Sequence, residues 1–188
     1  EGGQATLVPL DLTDYEGIDR LGGAIYERWG KLDILVANAA ILGPITPIGQ
    51  IKAMDFEQVM AINVTATWRM IRTTDPLLRK SDAGRAIIMS SGAADACMPF
   101  WGTYSASKAA VVALARTWAG EAKKTALRVN YVNPGPTRTR MRAQAMPGEN
   151  PMTLPAAEEI AAKIVPLAGS DISETGRLWD APSTTWCD

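Results

Sequence analysis

Short apolar runs that end in small or polar residues, alternating with helix-length segments, restrict this chain to one kind of architecture. The clearest are "LDILVANAA" (32–40), "RAIIMSS" (85–91) and "LRVNYVNP" (127–134). The first reads as a strand covered on both faces, the second as a further strand, and the third as a strand stopped by Pro134. "ATLVPL" (5–10) reads as a further buried strand, and a last one is expected near "ETGRLWDA" (174–181). Between them, Ile18, Leu21, Ile25 and Trp29 recur at helical spacing from Asp14 to Gly30, with Gly30 placed to close the helix. Further helices are expected over about 55–79, 102–124 and 156–168, and irregular Gly/Pro- or Met/Pro/Arg-rich segments over 42–50 and 135–155. Strand alternating with helix predicts an α/β fold. Its parallel sheet is covered by helices, and ligands meet it at the carboxyl ends of the strands.

The totals remove several functions. A chain of 188 residues, 47% apolar and with net charge −1, is one domain with no basic excess for nucleic acid. No apolar run is long enough to span a bilayer, and "EGGQATLVPL" does not resemble a signal peptide. Cys97 and Cys187 form neither a metal spacing nor a disulfide framework, which fits a reducing cytoplasm. Histidine is absent altogether, which excludes Ser-His-Asp and Cys-His catalysis and the common zinc sites. No metal is expected, and acid–base chemistry falls to Tyr, Lys, Asp, Glu or Cys.

Three strands deliver polar or small residues along one expected edge: Asn38-Ala39-Ala40, Ser90-Ser91-Gly92 and Asn133-Pro134-Gly135. Taken singly, such residues simply terminate strands; their joint placement points to a site. Asn63 falls on the stripe of Phe56, Val59 and Met60, so an amide is expected on a core face, where it needs partners. Either it is tied to a neighbouring strand or water, or it marks a backbone distortion or held water used in proton transfer. Tyr104 and Lys108 stand one helical turn apart. An ammonium within several ångströms of a phenol lowers its pKa toward the working range, and a serine at a strand end can bind a substrate oxygen. Those parts suit proton transfer to or from an alcohol or carbonyl oxygen.

In their order and spacing these motifs resemble the short-chain dehydrogenase/reductase family. The resemblance rests on Asp11-Leu12, "ANAA" (37–40), Asn63, "SSGAA" (90–94), "YSASK" (104–108) thirteen residues beyond Ser91, and "NPGPTRT" (133–139). It implies a Rossmann-like doubly wound parallel sheet and an NAD(P)-dependent oxidoreductase that interconverts an alcohol and a carbonyl by hydride transfer. By the same resemblance Tyr104 is the acid/base, Lys108 lowers its pKa and holds the nicotinamide ribose, Ser91 binds the substrate oxygen, and Asn63 holds a relay water. Asp11 and Leu12 resemble the adenine-contacting pair, and Asn38 and Ala39 the turn beside the cofactor. Pro134, Gly135, Thr137 and Thr139 match the segment that meets the nicotinamide carboxamide and phosphates. The cofactor implied is NAD or NADP, the partner a small carbonyl or alcohol, and the assembly a homodimer or homotetramer in the cytoplasm. Segment 135–155 corresponds to the substrate lid. Arg138, Arg140 and Arg142 within it suit either an anionic substrate or plain solvation; its methionines form an adaptable wall or ordinary packing. Trp101 either lines the pocket or packs.

The family opens with a glycine-rich turn that cradles the pyrophosphate. No two glycines here stand two residues apart, and the chain begins at what resembles the third strand. The expectation is therefore a single incomplete Rossmann-like domain over 1–188, N-terminally truncated, with the first two strands absent and residues 5–10 lacking a neighbour to pair with. That raises an alternative: a catalytically silent truncated module serving binding or oligomerisation.

Overall fold

The computed structural model describes residues 3–187. Asp14 opens α1 (Tyr15–Trp29) by accepting from the Gly17 N–H at 2.9 Å. Gly30, in the left-handed region at φ 71°, closes the helix, as the sequence predicts. After β1 (Ile34–Ala37), one long helical segment is divided into α2 (Ala53–Met60), a π-helical turn (Ala61–Thr65) and α3 (Ala66–Leu78). Then come β2 (Arg85–Met89), the short α4 (Ala93–Ala96), α5 (Gly102–Ala122) and β3 (Arg128–Asn133). Segment 135–155 contains α6 (Arg140–Ala145). Finally α7 (Ala157–Ile164) leads to a hairpin of β4 (Leu178–Asp180) and β5 (Thr185–Cys187).

The described sheet has the order β1-β2-β3-β4-β5. Strands β1 to β4 are parallel and β5 returns antiparallel to β4. Side-chain alternation along the strands separates two faces. Leu35, Ala86, Ile88, Val129 and Tyr131 meet Ile71 and Leu78 of α3 and Val111, Ala115 and Trp118 of α5 in the larger core cluster. On the opposite face Ile87 and Val132 pack against Ile160 of α7, with Leu167 and Ala181. Each large side chain removed from water this way contributes about 1.5–3 kcal/mol. Helices thus lie on both faces of a parallel sheet, the Rossmann-like arrangement expected from the sequence.

Polar ties hold the layers in register. Asp75 of α3 accepts from the Trp118 indole N–H at 2.6 Å, joining α3 to α5. The Arg85 guanidinium, buried at the start of β2, donates to the carbonyls of Gly84, Gly169 and Ser170 at 2.8–2.9 Å. It thereby pins the chain after α7 to the base of the sheet. No described helix is long and apolar enough to cross a membrane.

Some expectations fail in physically instructive ways. Residues 5–10 form no strand: Leu7 is 90% exposed, and no described strand pairs with them. A strand exists only through its ladder, so apolar character alone does not create one. β1 is not covered on both faces. Leu35 is buried, but Val36, on the face that α7 covers only farther along the sheet, is 50% exposed. Phe56 leaves the buried stripe of α2 and is exposed, while Val59 and Asn63 remain in it. The last parallel strand is shorter than the 174–181 segment expected to hold it, and β5 was not expected at all.

Candidate active site

Because β1, β2 and β3 are parallel, Asn38, Ser90-Ser91 and Asn133-Pro134-Gly135 emerge at the same edge of the sheet. Helix α5 starts beside that edge and carries Tyr104 and Lys108, both buried, at 8% and 4% exposure. Lys108 Nζ donates to the Met89 carbonyl at 2.7 Å and stands 5.8 Å from the Tyr104 ring centroid. One side of this arrangement is therefore fixed by α5 and the other by the end of β2.

The electrostatics differ from the simplest expectation. Burial pushes the Tyr104 phenol above its ordinary value, and a hydrogen bond with the Ser91 side chain pulls it part of the way back. Burial pushes the Lys108 ammonium down from 10.5 to about 8. Desolvation thus dominates both groups, and at neutral pH the phenol holds its proton. Ser91 is the partner of Tyr104 in this geometry, in keeping with the thirteen-residue spacing between them.

Asn63 lies in the π-helical turn, 1% exposed. Its Oδ1 accepts from the Ile41 N–H at 2.8 Å. Its Nδ2 donates to the Ile41 carbonyl at 2.9 Å and to Ser107 Oγ at 3.0 Å. Ser107 Oγ in turn donates to the Tyr104 carbonyl at 2.8 Å. The side chain is therefore a tie, and the backbone around it is distorted. Such single π turns recur at functional sites because the extra residue re-aims the chain.

Tyr104 also closes an apolar cluster with Leu42, Ala93 and Ala145, against which Trp101, Met141 and Met146 pack. The Trp101 and Tyr104 rings meet edge to face with centroids 6.0 Å apart. Met141, Ala145 and Met146 belong to or end α6, so segment 135–155 reaches the tyrosine. Arg142 makes a two-pronged ion pair with Glu149, at 2.6 and 2.7 Å, that closes the loop after α6. Arg138 Nη1 lies against Met152 Sδ.

Of the other expected positions, Pro134 and Gly135 continue from β3, Gly135 at φ 69°. A Cβ there would run into the Pro182 ring, so glycine meets both the turn and the close approach. Thr137 Oγ1 donates to the Gly135 carbonyl at 3.1 Å, and Thr139 caps α6 by accepting from the Arg142 N–H. Asn38 and Ala39 are exposed at the end of β1. Asp11 is exposed before α1, its carboxylate held low by hydrogen bonds from the Thr13 N–H and hydroxyl. No hydrogen bond among the described residues ties Asp11 or Leu12 to the Tyr104 cluster. No described group of His, Cys, Asp or Glu side chains is gathered to hold a metal ion.

Sequence reasoning missed Ser107 and the side chain of Asn133 as parts of the site. Asn133 Oδ1 accepts from the N–H groups of Gly92, at 2.9 Å, and Gly135, at 3.1 Å, while Nδ2 donates to Asp180 Oδ1 at 2.8 Å. Ser107 lies within the quoted "YSASK", where its i+3 spacing from Tyr104 was the available signal. The Asn133–Asp180 pair left no signal, because its members meet only through the strand order.

Comparison with known proteins agrees with this geometry. The family model described as short chain dehydrogenase matches residues 1–150. The uncharacterized oxidoreductase YciK of Escherichia coli is 36% identical over 167 residues, which is 88% of this chain and 66% of that protein. An uncharacterized NAD-dependent oxidoreductase of Mycobacterium tuberculosis is 35% identical over 75% of this chain and 51% of its own length. The chain thus spans between about half and two thirds of these two relatives. Among solved structures, a short chain dehydrogenase from Salmonella enterica serovar Typhi superposes with TM-score 0.92 at 35% identity, covering 95% of this chain and 75% of that one. One from Shigella flexneri, complexed with NADP, gives TM-score 0.91 at 36% identity, covering 96% and 77%. The ordered motifs, the parallel sheet and these matches agree: the chain belongs to the short chain dehydrogenase family.

Proposed function

We propose that this chain carries the proton-transfer half of an NAD(P)-dependent oxidoreductase that interconverts a carbonyl and an alcohol, with Tyr104 as acid/base. The observation that supports this most is the state of Tyr104. It is a buried phenol that keeps its proton at neutral pH, hydrogen-bonded to Ser91 and one helical turn from a buried ammonium. A protonated phenol is the form that gives a proton to a carbonyl oxygen.

The donor set fits the nicotinamide end of a dinucleotide. An ammonium has three donors, and Lys108 commits one to Met89, leaving others for ribose hydroxyls. Asn38, Ala39, Pro134, Gly135, Thr137 and Thr139 are assigned to the rest of that half, and Asp11 and Leu12 to the adenine end. NADP in the Shigella relative and NAD dependence in the mycobacterial one support a cofactor of this class. When bound, the dinucleotide supplies or accepts the hydride.

In the reducing direction, the Ser91 hydroxyl donates a hydrogen bond to the substrate carbonyl oxygen and holds it beside Tyr104. Tyr104 Oη delivers its proton to that oxygen as charge develops there. The phenolate left behind is stabilised by the Lys108 ammonium, and a solvent proton restores it. Both amide hydrogens of Asn63 are committed, so the π turn's main chain, rather than the side chain, meets any relay water. Trp101, Met141 and Met146 form the apolar side of the substrate pocket, and segment 135–155 serves as its lid. Exposed Met54, Phe56 and Trp68 on α2 and α3 support a homodimer or homotetramer assembled through these helices.

The test is oxidation of NADH or NADPH dependent on an added carbonyl, surveyed over aliphatic and aromatic aldehydes and ketones. Dinucleotide is supplied at millimolar concentration so that binding does not limit the reading. Ser91→Ala should lower kcat and Tyr104→Phe should abolish turnover with the fold intact. Turnover unchanged in Tyr104→Phe refutes the assignment.

A further inference from the structure

Asn133 joins three strand ends through one side chain. Its Oδ1 is shared by the N–H groups of Gly92, which directly follows Ser91, and Gly135, in the turn that follows β3. Its Nδ2 is held by Asp180 at the end of β4. Asp180 is itself fixed by its own turn: the Ser183 hydroxyl donates to Oδ2 at 2.6 Å and the Ser183 N–H at 3.2 Å. Behind this turn, Pro182 packs against Gly135. An asparagine amide can point either way, and its three partners here agree on one orientation. Asp180 accepts but does not donate, so it selects Nδ2 and leaves Oδ1 for the two glycine N–H groups.

We propose that Asn133 and Asp180 form a positioning relay that locks the Ser91–Gly92 end of β2 against the Pro134–Gly135 turn. The relay rests on the oxidoreductase reading for its purpose. Ser91 orients the substrate oxygen and the Pro134–Gly135 turn seats the nicotinamide, and the reaction needs those two in one fixed relation. Neither Asn133 nor Asp180 touches the reacting atoms; both act through the backbone of their neighbours. The charged side chain acting on Asp180 is Lys163 of α7, whose Nζ also donates to the Pro182 carbonyl at 3.3 Å. Asn133 from β3 and Ser183 from the turn are its polar partners.

Exchanging the two side chains tests the relay. Asn133→Asp alone sets two carboxylates against each other, and kcat/KM at pH 8 should fall about 100-fold, the scale of an ångström-sized misplacement. Because like charges raise one pKa of such a pair, its activity relative to wild type should recover as pH falls and one proton is taken up. The double variant Asn133→Asp/Asp180→Asn restores the donor–acceptor pattern and should return kcat/KM to within about threefold of wild type, the residual tolerance expected of a retained hydrogen bond. In that variant the amide protons of Gly92 and Gly135, now bonded to a carboxylate, should move downfield together in NMR spectra. A folded double variant as impaired as Asn133→Asp, or glycine amides that do not shift together, overturns the relay. If wild type reduces no carbonyl, the oxidoreductase reading fails by itself, and the paired glycine shifts alone decide whether the tie exists.

Discussion

Lys108 should make the protein less stable than it would be without it. Its ammonium is 4% exposed and burial lowers it from 10.5 to about 8. At about 1.4 kcal/mol for each pH unit, keeping it charged costs the folded state about 3 kcal/mol at any pH below 8. Between about pH 8 and 10.5 the unfolded chain binds the proton and the folded chain does not, so wild-type stability contributed by this group rises with pH across that window. Lys108→Met keeps most of the apolar stem and removes the charge. It also removes the 2.7 Å bond to the Met89 carbonyl, which gives back about 1–2 kcal/mol. The variant should therefore be more stable than wild type by about 1–2 kcal/mol at pH 7, the difference of those two terms, and lose that advantage as pH rises toward 10. Urea denaturation of both proteins at pH 6.5, 8 and 9.5 measures it. A variant less stable than wild type at pH 6.5, or a difference constant across pH, refutes the reasoning. A more stable variant that has also lost turnover would mark Lys108 as a group held at the expense of stability.

Other parts of the structure give sharper stability tests. Asn63→Ala orphans the half-buried N–H and carbonyl groups of Ile41 and should cost about 2–4 kcal/mol in urea denaturation; a loss under 0.5 kcal/mol contradicts the tie. Arg85→Met strips the carbonyls at 84, 169 and 170 of their donor, the first of them buried, and should cost about 1–3 kcal/mol, with faster hydrogen exchange in the chain after α7; unchanged exchange there argues against the pin. Trp118→Phe keeps the core contact but removes the N–H bonded to Asp75, and thermal unfolding should report about 1–2 kcal/mol of destabilisation rather than the larger loss of a core cavity.

What the sequence disclosed follows from the range of the interactions concerned. α1 was legible because Asp14, Gly30 and the Ile18–Trp29 stripe are local signals within one element. The three runs ending at Asn38, Ser91 and Pro134 were legible because a buried strand and its turn both act over a few residues. Residues 5–10 misled because their apolar character is local while strand formation depends on a neighbour. Val36 misled for the same reason: what covers it is decided by where α7 lies, not by residues beside it. In the candidate site, order and spacing already grouped Tyr104, Lys108 and Ser91, which the structure brings together. Asn133 and Asp180 were not grouped in this way, since 47 residues separate them and only the β3–β4 pairing brings them together. Burial also reversed an electrostatic inference: proximity to Lys108 predicts a lowered Tyr104, whereas the folded site raises it.

The most direct test of the account follows the label rather than the absorbance. Wild type, with millimolar reduced dinucleotide deuterated at the nicotinamide C4 and a carbonyl substrate found in the survey, should yield alcohol carrying deuterium at the former carbonyl carbon. Tyr104→Phe, with an unchanged thermal midpoint, should yield at least about 100-fold less, the contribution expected of a positioned general acid. Equal deuterium incorporation by the two proteins would contradict the role given to Tyr104.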